Sequence, residues 1–134
     1  MRIRGAVVVA LAFASLLAVA CKGITTPSNN QTRPFSGTLD PKGSKSHTFD
    51  VSKTGEFTAK LTAWAPNSQI FAGMAWALAS NDGSCTTGLQ QNNFVILNAQ
   101  AIFGQISSGK YCIIIFDPGT LTATQNYTIT LSYP

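Results

Sequence analysis

Three cysteines, one histidine and five carboxylates are the whole stock from which this 134-residue chain could build conventional side-chain chemistry. A hydrolytic triad needs a general base, and His47 is the only imidazole. His47 stands two residues before Phe49, so on a regular strand His47, Phe49 and Val51 share one face near the sheet edge, where a structural or solvent-facing role is expected. The acids Asp40, Asp50, Glu56, Asp82 and Asp117 are scattered singly, three of them in turn sequences where aspartate caps its own backbone. A glycosidase pair of carboxylates would have to arise by folding coincidence. Cys21, Cys85 and Cys112 have no Cys-x-x-Cys spacing and a single histidine to join them, which does not make a zinc site. No phosphate-cradling glycine loop precedes a helix. The expectation is no catalytic residue, no metal and no cofactor.

Binding chemistry has more to work with. Trp64 falls in phase with Lys60 and Thr62 on the polar face of its strand, which makes it the one candidate for ligand contact, by stacking on a sugar or a peptide side chain. A bulge at the strand end would instead turn it inward. Trp76 sits in an apolar run and is assigned to the core. Lys and Arg are dispersed without an aromatic cluster, so nucleic acid is not an expected partner.

The net charge of +4 shrinks to +2 without Arg2 and Arg4, which form the positive start of a secretory signal. An apolar stretch follows from Ala6 to Leu17, too short for a membrane span of about 20 residues. Its exit, Leu17-Ala18-Val19-Ala20-Cys21, resembles the bacterial lipoprotein signal, whose last residue is the cysteine that becomes acylated. Ala18-Val19-Ala20 also fits an ordinary Ala-x-Ala cleavage, which would leave Cys21 a free thiol. If Cys21 carries lipid, Cys85 and Cys112 remain as one pair, 27 positions apart, in a compartment that permits disulfides. Lys22, rather than an aspartate, follows the cysteine, which under the lipoprotein sorting rule of well-studied Gram-negative bacteria implies the outer membrane.

These residues divide the chain into a signal helix over 1–20, a lipidated cysteine and flexible polar tether over 21–33, and a domain over 34–134. Within the domain the hydrophobic period is two. Phe57, Ala59, Leu61 and Ala63 alternate with Glu56, Thr58, Lys60 and Thr62, and Tyr127, Ile129, Leu131 and Tyr133 alternate with Thr128, Thr130 and Ser132. The run from Ile70 to Leu78 is apolar on both faces and reads as a central strand, although its alanines also allow a helix. Turn sequences such as Asp40-Pro41-Lys42-Gly43, Asn81-Asp82-Gly83-Ser84 and Asp117-Pro118-Gly119 separate the runs. The pattern predicts an all-β, jelly-roll-like antiparallel sandwich of seven to eight strands.

Four segments resemble the bacterial pre-peptidase C-terminal domain, a β-sandwich accessory module of exported proteins. They are Phe35-Ser36-Gly37-Thr38-Leu39, Ser46-His47-Thr48-Phe49-Asp50-Val51, Gly55-Glu56-Phe57-Thr58-Ala59-Lys60-Leu61, and the closing pair Ser108 to Ile115 with Asn126 to Leu131. The resemblance covers about residues 34–133. It implies a non-enzymatic module. The family's Asp-x-Asp-Leu motif is missing, since the corresponding stretch reads Ser68-Gln69-Ile70-Phe71-Ala72, so calcium binding is not implied.

The expected protein is a lipid-anchored, non-enzymatic binding or envelope-structural module, periplasmic or surface-facing, whose partners are the membrane and an envelope protein or polysaccharide. An accessory subunit of an envelope complex or a carbohydrate- or peptide-binding module is the alternative, a small hydrolase a weaker one. Radioactive palmitate should label the wild-type protein in its bacterial host and leave Cys21→Ala unlabelled; an unlabelled wild type contradicts the anchor.

Overall fold

The computed structural model describes residues 24, 25 and 27–134, so the signal segment and Cys21 lie outside the described residues. Strands dominate: β1 (Ile24–Thr25), β2 (Gln31–Leu39), β3 (Ser44–Val51), β4 (Thr54–Ala65), β5 (Ala72–Ala79), β6 (Cys85–Val95), β7 (Gln100–Ile106), β8 (Gly109–Phe116) and β9 (Gln125–Tyr133). One sheet has the order β7-β4-β9-β2, with the short β1 parallel to the start of β4; the other has the order β3-β8-β5-β6. Between β2 and β9 the chain changes sheet at every connection except the β5–β6 hairpin, which gives a jelly-roll sandwich.

The two-residue period explains the layering. In β9 the pattern sends Tyr127, Ile129, Leu131 and Tyr133 inward, where Ile129 and Leu131 lose all solvent contact. Phe49, Phe57, Ile113, Ile115 and Met74 meet them from the neighbouring strands and the facing sheet. Phe49 lies between Phe57, Tyr111 and Tyr133, with ring centroids 5.1–5.9 Å away.

The alanine-rich run forms a strand, β5, in the interior of its sheet. Its inward residues Ala72, Met74 and Trp76 join the core, while Gly73, Ala75, Ala77 and Ala79 line the outer face. Opposite them on β8 stand Phe116, Ile114 and Cys112. The Phe116 ring lies so close over Gly73 that a Cβ there would overlap it. Small side chains on β5 therefore let larger β8 side chains lie across it, and a helix would lose this pairing.

Strand pairing begins before residue 34, inside the 21–33 segment that the composition assigns to a tether. Gln31, Thr32 and Arg33 already pair with Tyr133, Ser132 and Leu131 in the β2–β9 ladder. Ile24 and Thr25 pair with Thr54 and Gly55, and Asn30 Nδ2 donates to the Glu56 carbonyl at 2.8 Å. A polar sequence can join a sheet edge through its backbone alone, because the ladder bonds ask nothing of the side chains.

Cys85 and Cys112 are joined as a disulfide with Cα atoms 5.8 Å apart. The bridge links β6 to β8 beyond the outer face of β5, where Ala77 and Ala79 leave room for it. Closing a loop of this length contributes on the order of 3–4 kcal/mol through the unfolded state.

Candidate functional site

The sandwich has two lateral edges, and they differ in kind. At one, β2 and β3 face each other; at the other, β6 and β7 do.

The β2–β3 edge is closed by packing. His47, inward-facing on β3, reaches across to β9, where a 2.7 Å hydrogen bond joins its Nε2 to the Tyr127 hydroxyl. Phe35 of β2 stacks on the imidazole with centroids 4.9 Å apart, and the Arg33 guanidinium caps the outer face of Phe35 at 4.7 Å. Gly37 is needed here, because a Cβ would stand 2.7 Å from the Tyr127 hydroxyl. Burial lowers the His47 pKa below its ordinary 6.5 and raises that of Tyr127. The imidazole's hydrogen bond and ring contacts join β3 to the opposite sheet, which is the structural rather than the solvent-facing of the two expected roles.

Asp117 locks the loops at the end of the same edge. Its Oδ1 accepts from the backbone N–H groups of Gly119, Thr120 and Leu121, and its Oδ2 accepts from Lys42 in the β2–β3 turn. Partial burial raises its pKa, but these four donors outweigh it and hold the carboxylate below its ordinary value. Asp82 is held low chiefly by the Ser84 backbone N–H. Both acids cap turns as their sequence positions predict. Among the described residues no three of His, Cys, Asp and Glu come together.

Trp64 is not a surface ring. It is 3% exposed, and its indole N–H donates to the Ile70 carbonyl at 2.9 Å. The β4–β9 register shifts between Leu61 and Ala63, so Thr62 and Ala63 both face solvent and the next residue turns inward. This bulge is the inward-turning alternative, and it removes Trp64 as a ligand contact.

The β6–β7 edge instead turns apolar side chains outward. Of the five large hydrophobic side chains exposed among the described residues, four lie on these two strands or in the loop joining them: Leu89, Phe94 (71% exposed), Ile96 and Phe103 (59% exposed). Clustering is what gives them meaning, since single exposed hydrophobics are ordinary. Period two explains Phe103: Ile102 and Ile106 face the core, so Phe103 must face out. Phe94 is set by Asn92, whose Oδ1 accepts from the Phe94 backbone N–H while its Nδ2 donates to the Ala101 carbonyl of β7. One amide side chain thus ties the two edge strands together and orients the exposed ring.

Beside these side chains lie three open hollows in series, two of them lined by the phenylalanines and the third by Leu89. The first, about 580 Å³, is bounded by Glu56, Thr58, Gln105 and Phe103; the second, about 460 Å³, by Gln90 to Phe94, Gln100 and Phe103. The third, about 300 Å³, is bounded by Ala75, Gly88, Leu89 and again Gln90 and Gln91. Shared residues make them neighbours, forming a track across the sandwich edge from the outer face of one sheet to that of the other. The sequence held a signal for it: the amide run Gln90-Gln91-Asn92-Asn93 leads directly into Phe94.

No protein-family profile matches this chain, and no curated protein matches it in sequence. Its fold is similar to the crystal structure of the Yersinia pseudotuberculosis-derived mitogen, with a TM-score of 0.57 at 14% identity, covering 78% of this chain and 87% of that one. At that identity the likeness shows the β-sandwich alone.

The closed edge makes a pH prediction. Because the folded pKa of His47 lies below 6.5, the unfolded chain takes up the proton first as pH falls. Stability is therefore complete above about pH 6.5 and declines as pH falls from there through the folded value. Urea midpoints at pH 7.5 and pH 5, a range above the titration of Asp82 and Asp117, should fall in the wild type and change less in His47→Gln. Equal slopes in both proteins would contradict the assignment.

Proposed function

We propose that this chain is a lipid-anchored, extracytoplasmic, non-enzymatic binding module of the bacterial envelope, and that its binding face is the β6–β7 edge. The observation that carries the reading is the coincidence, on one edge, of two exposed phenylalanines with amide side chains and a series of adjoining open hollows. Phe94 meets Phe71 at a tilt, with ring centroids 5.2 Å apart, but leaves most of its surface to water. Such an arrangement suits a surface that is covered by a partner part of the time.

Support for the location comes from elsewhere in the chain. The exit Leu17-Ala18-Val19-Ala20-Cys21 resembles a lipoprotein signal, and the Cys85–Cys112 disulfide fits an oxidising compartment. With the chain tethered at its N-terminus, the amide- and aromatic-lined edge would be held within reach of envelope material.

The double substitution Phe94→Ala/Phe103→Ala tests the face. Both side chains are exposed, so folding stability should change by no more than about 0.5 kcal/mol per site, while retention on isolated cell envelopes should drop at least tenfold. Trp64→Ala, by contrast, should destabilise the fold by about 3–5 kcal/mol through the cavity it leaves. A double variant retained as well as the wild type contradicts the assignment.

A further inference from the structure

We infer that the ligand of the β6–β7 track is an uncharged polysaccharide chain, gripped by Phe94 and Phe103 and read by the amides between them; this rests on that edge being the binding face. Three observations lead to it. First, the track is elongated. Each hollow shares residues with the next, Gln100 and Phe103 at one junction and Gln90 and Gln91 at the other. Each is of the size that holds a small organic unit, so the fitting occupant is a string of such units.

Second, the lining chemistry is that of hydroxyl recognition. Gln90, Gln91, Asn92, Asn93, Gln100 and Gln105 line the track, and each amide presents both donors and an acceptor. Sugar hydroxyls likewise both donate and accept. No lysine or arginine lines any of the three hollows, and the single carboxylate, Glu56, stands at one end. A polymer bearing phosphate or carboxylate would call for cations there. The two phenyl rings offer negative π-faces on which the C–H faces of a sugar ring can lie. Part of the array is fixed in advance: Gln91 Nε2 donates to Asn93 Oδ1 at 2.7 Å, and Asn92 is held at both its amide atoms. Side chains already ordered lose less freedom when a ligand arrives.

Third, the backbone of this edge suits side-chain recognition better than strand addition. The β5–β6 ladder shifts register three times, and the β4–β7 ladder shifts between Ala59 and Lys60. Bulges of this kind twist an edge away from a straight incoming strand. An extended peptide is therefore the less suited occupant.

Titration of the purified exported protein with maltohexaose, cellohexaose and chitohexaose, followed by amide and side-chain NMR shifts, tests the inference. At least one of these neutral hexasaccharides should bind. The shifts should map to the Asn and Gln side chains of the track, and affinity should change less than twofold between 0.05 and 0.5 M NaCl. Phe103→Ala and Phe94→Ala should each weaken binding about tenfold with an unchanged thermal midpoint, and Gln100→Ala several-fold. If none of the three binds while the double phenylalanine variant still loses envelope retention, the ligand class is overturned and the binding face stands. If that variant also keeps envelope retention, both fall. Binding abolished by salt, or shifts confined to backbone amides of β6 or β7 with a captured peptide, would likewise overturn the polysaccharide assignment.

Discussion

Small side chains on the outer face of β5 are the constraint on which the rest of this sandwich depends. Gly73 admits the Phe116 ring and Ala77 stands opposite Cys112, so β8 can lie tight against β5 and carry Ile113 and Ile115 into the core. The same low relief lets Cys85 reach Cys112 from the far side of β5. That tie matters because β6 is an edge strand whose ladder with β5 is interrupted three times, and a bulged edge has few regular hydrogen bonds to hold it. The covalent link fixes one end of β6, and Asn92 fixes the other to Ala101 of β7. Gln90 and Gln91 lie between those anchors, and Asn93 and Phe94 follow Asn92 directly.

The two lateral edges then divide the work of the molecule. The β2–β3 edge is filled by the stack of Arg33, Phe35, His47 and Tyr127 and sealed at its end by Asp117, so the imidazole, the Tyr127 hydroxyl and the Asp117 carboxylate are satisfied internally. The β6–β7 edge keeps its aromatic and amide groups outside, with Asn92 as the cross-link. A surface rich in Thr, Ser, Asn, Gln and Gly, with Asp+Glu at 5 and Lys+Arg at 9 in the whole chain, has little charge with which to steer or repel. Recognition on such a surface falls to hydrogen bonds and ring faces.

Much of the fold was legible because period two is a strong signal where one face is buried. Alternation in β4 and β9 placed Phe57, Leu61, Ile129 and Leu131 in the core, and the turn residues marked where strands end. The β6–β7 edge was harder to see, since hydrophobic runs such as Phe94-Val95-Ile96-Leu97 look like core whichever residue faces out. Trp64 failed as an exposed contact for a related reason: a single extra residue at Thr62 inverts everything after it, and no side-chain pattern announces that bulge. The paired strand at Gln31–Arg33 was hidden because ladder bonds belong to the backbone.

Hydrogen exchange along the whole backbone, compared with and without isolated cell-envelope polysaccharide, tests most directly the claim that one edge is closed and the other binds. Added protection should fall on Gln90–Phe94 and Gln100–Gln105, while β2 and β3 stay as they were. Protection gained at Arg33–Gly37 or around His47, with none on β6 and β7, would contradict it.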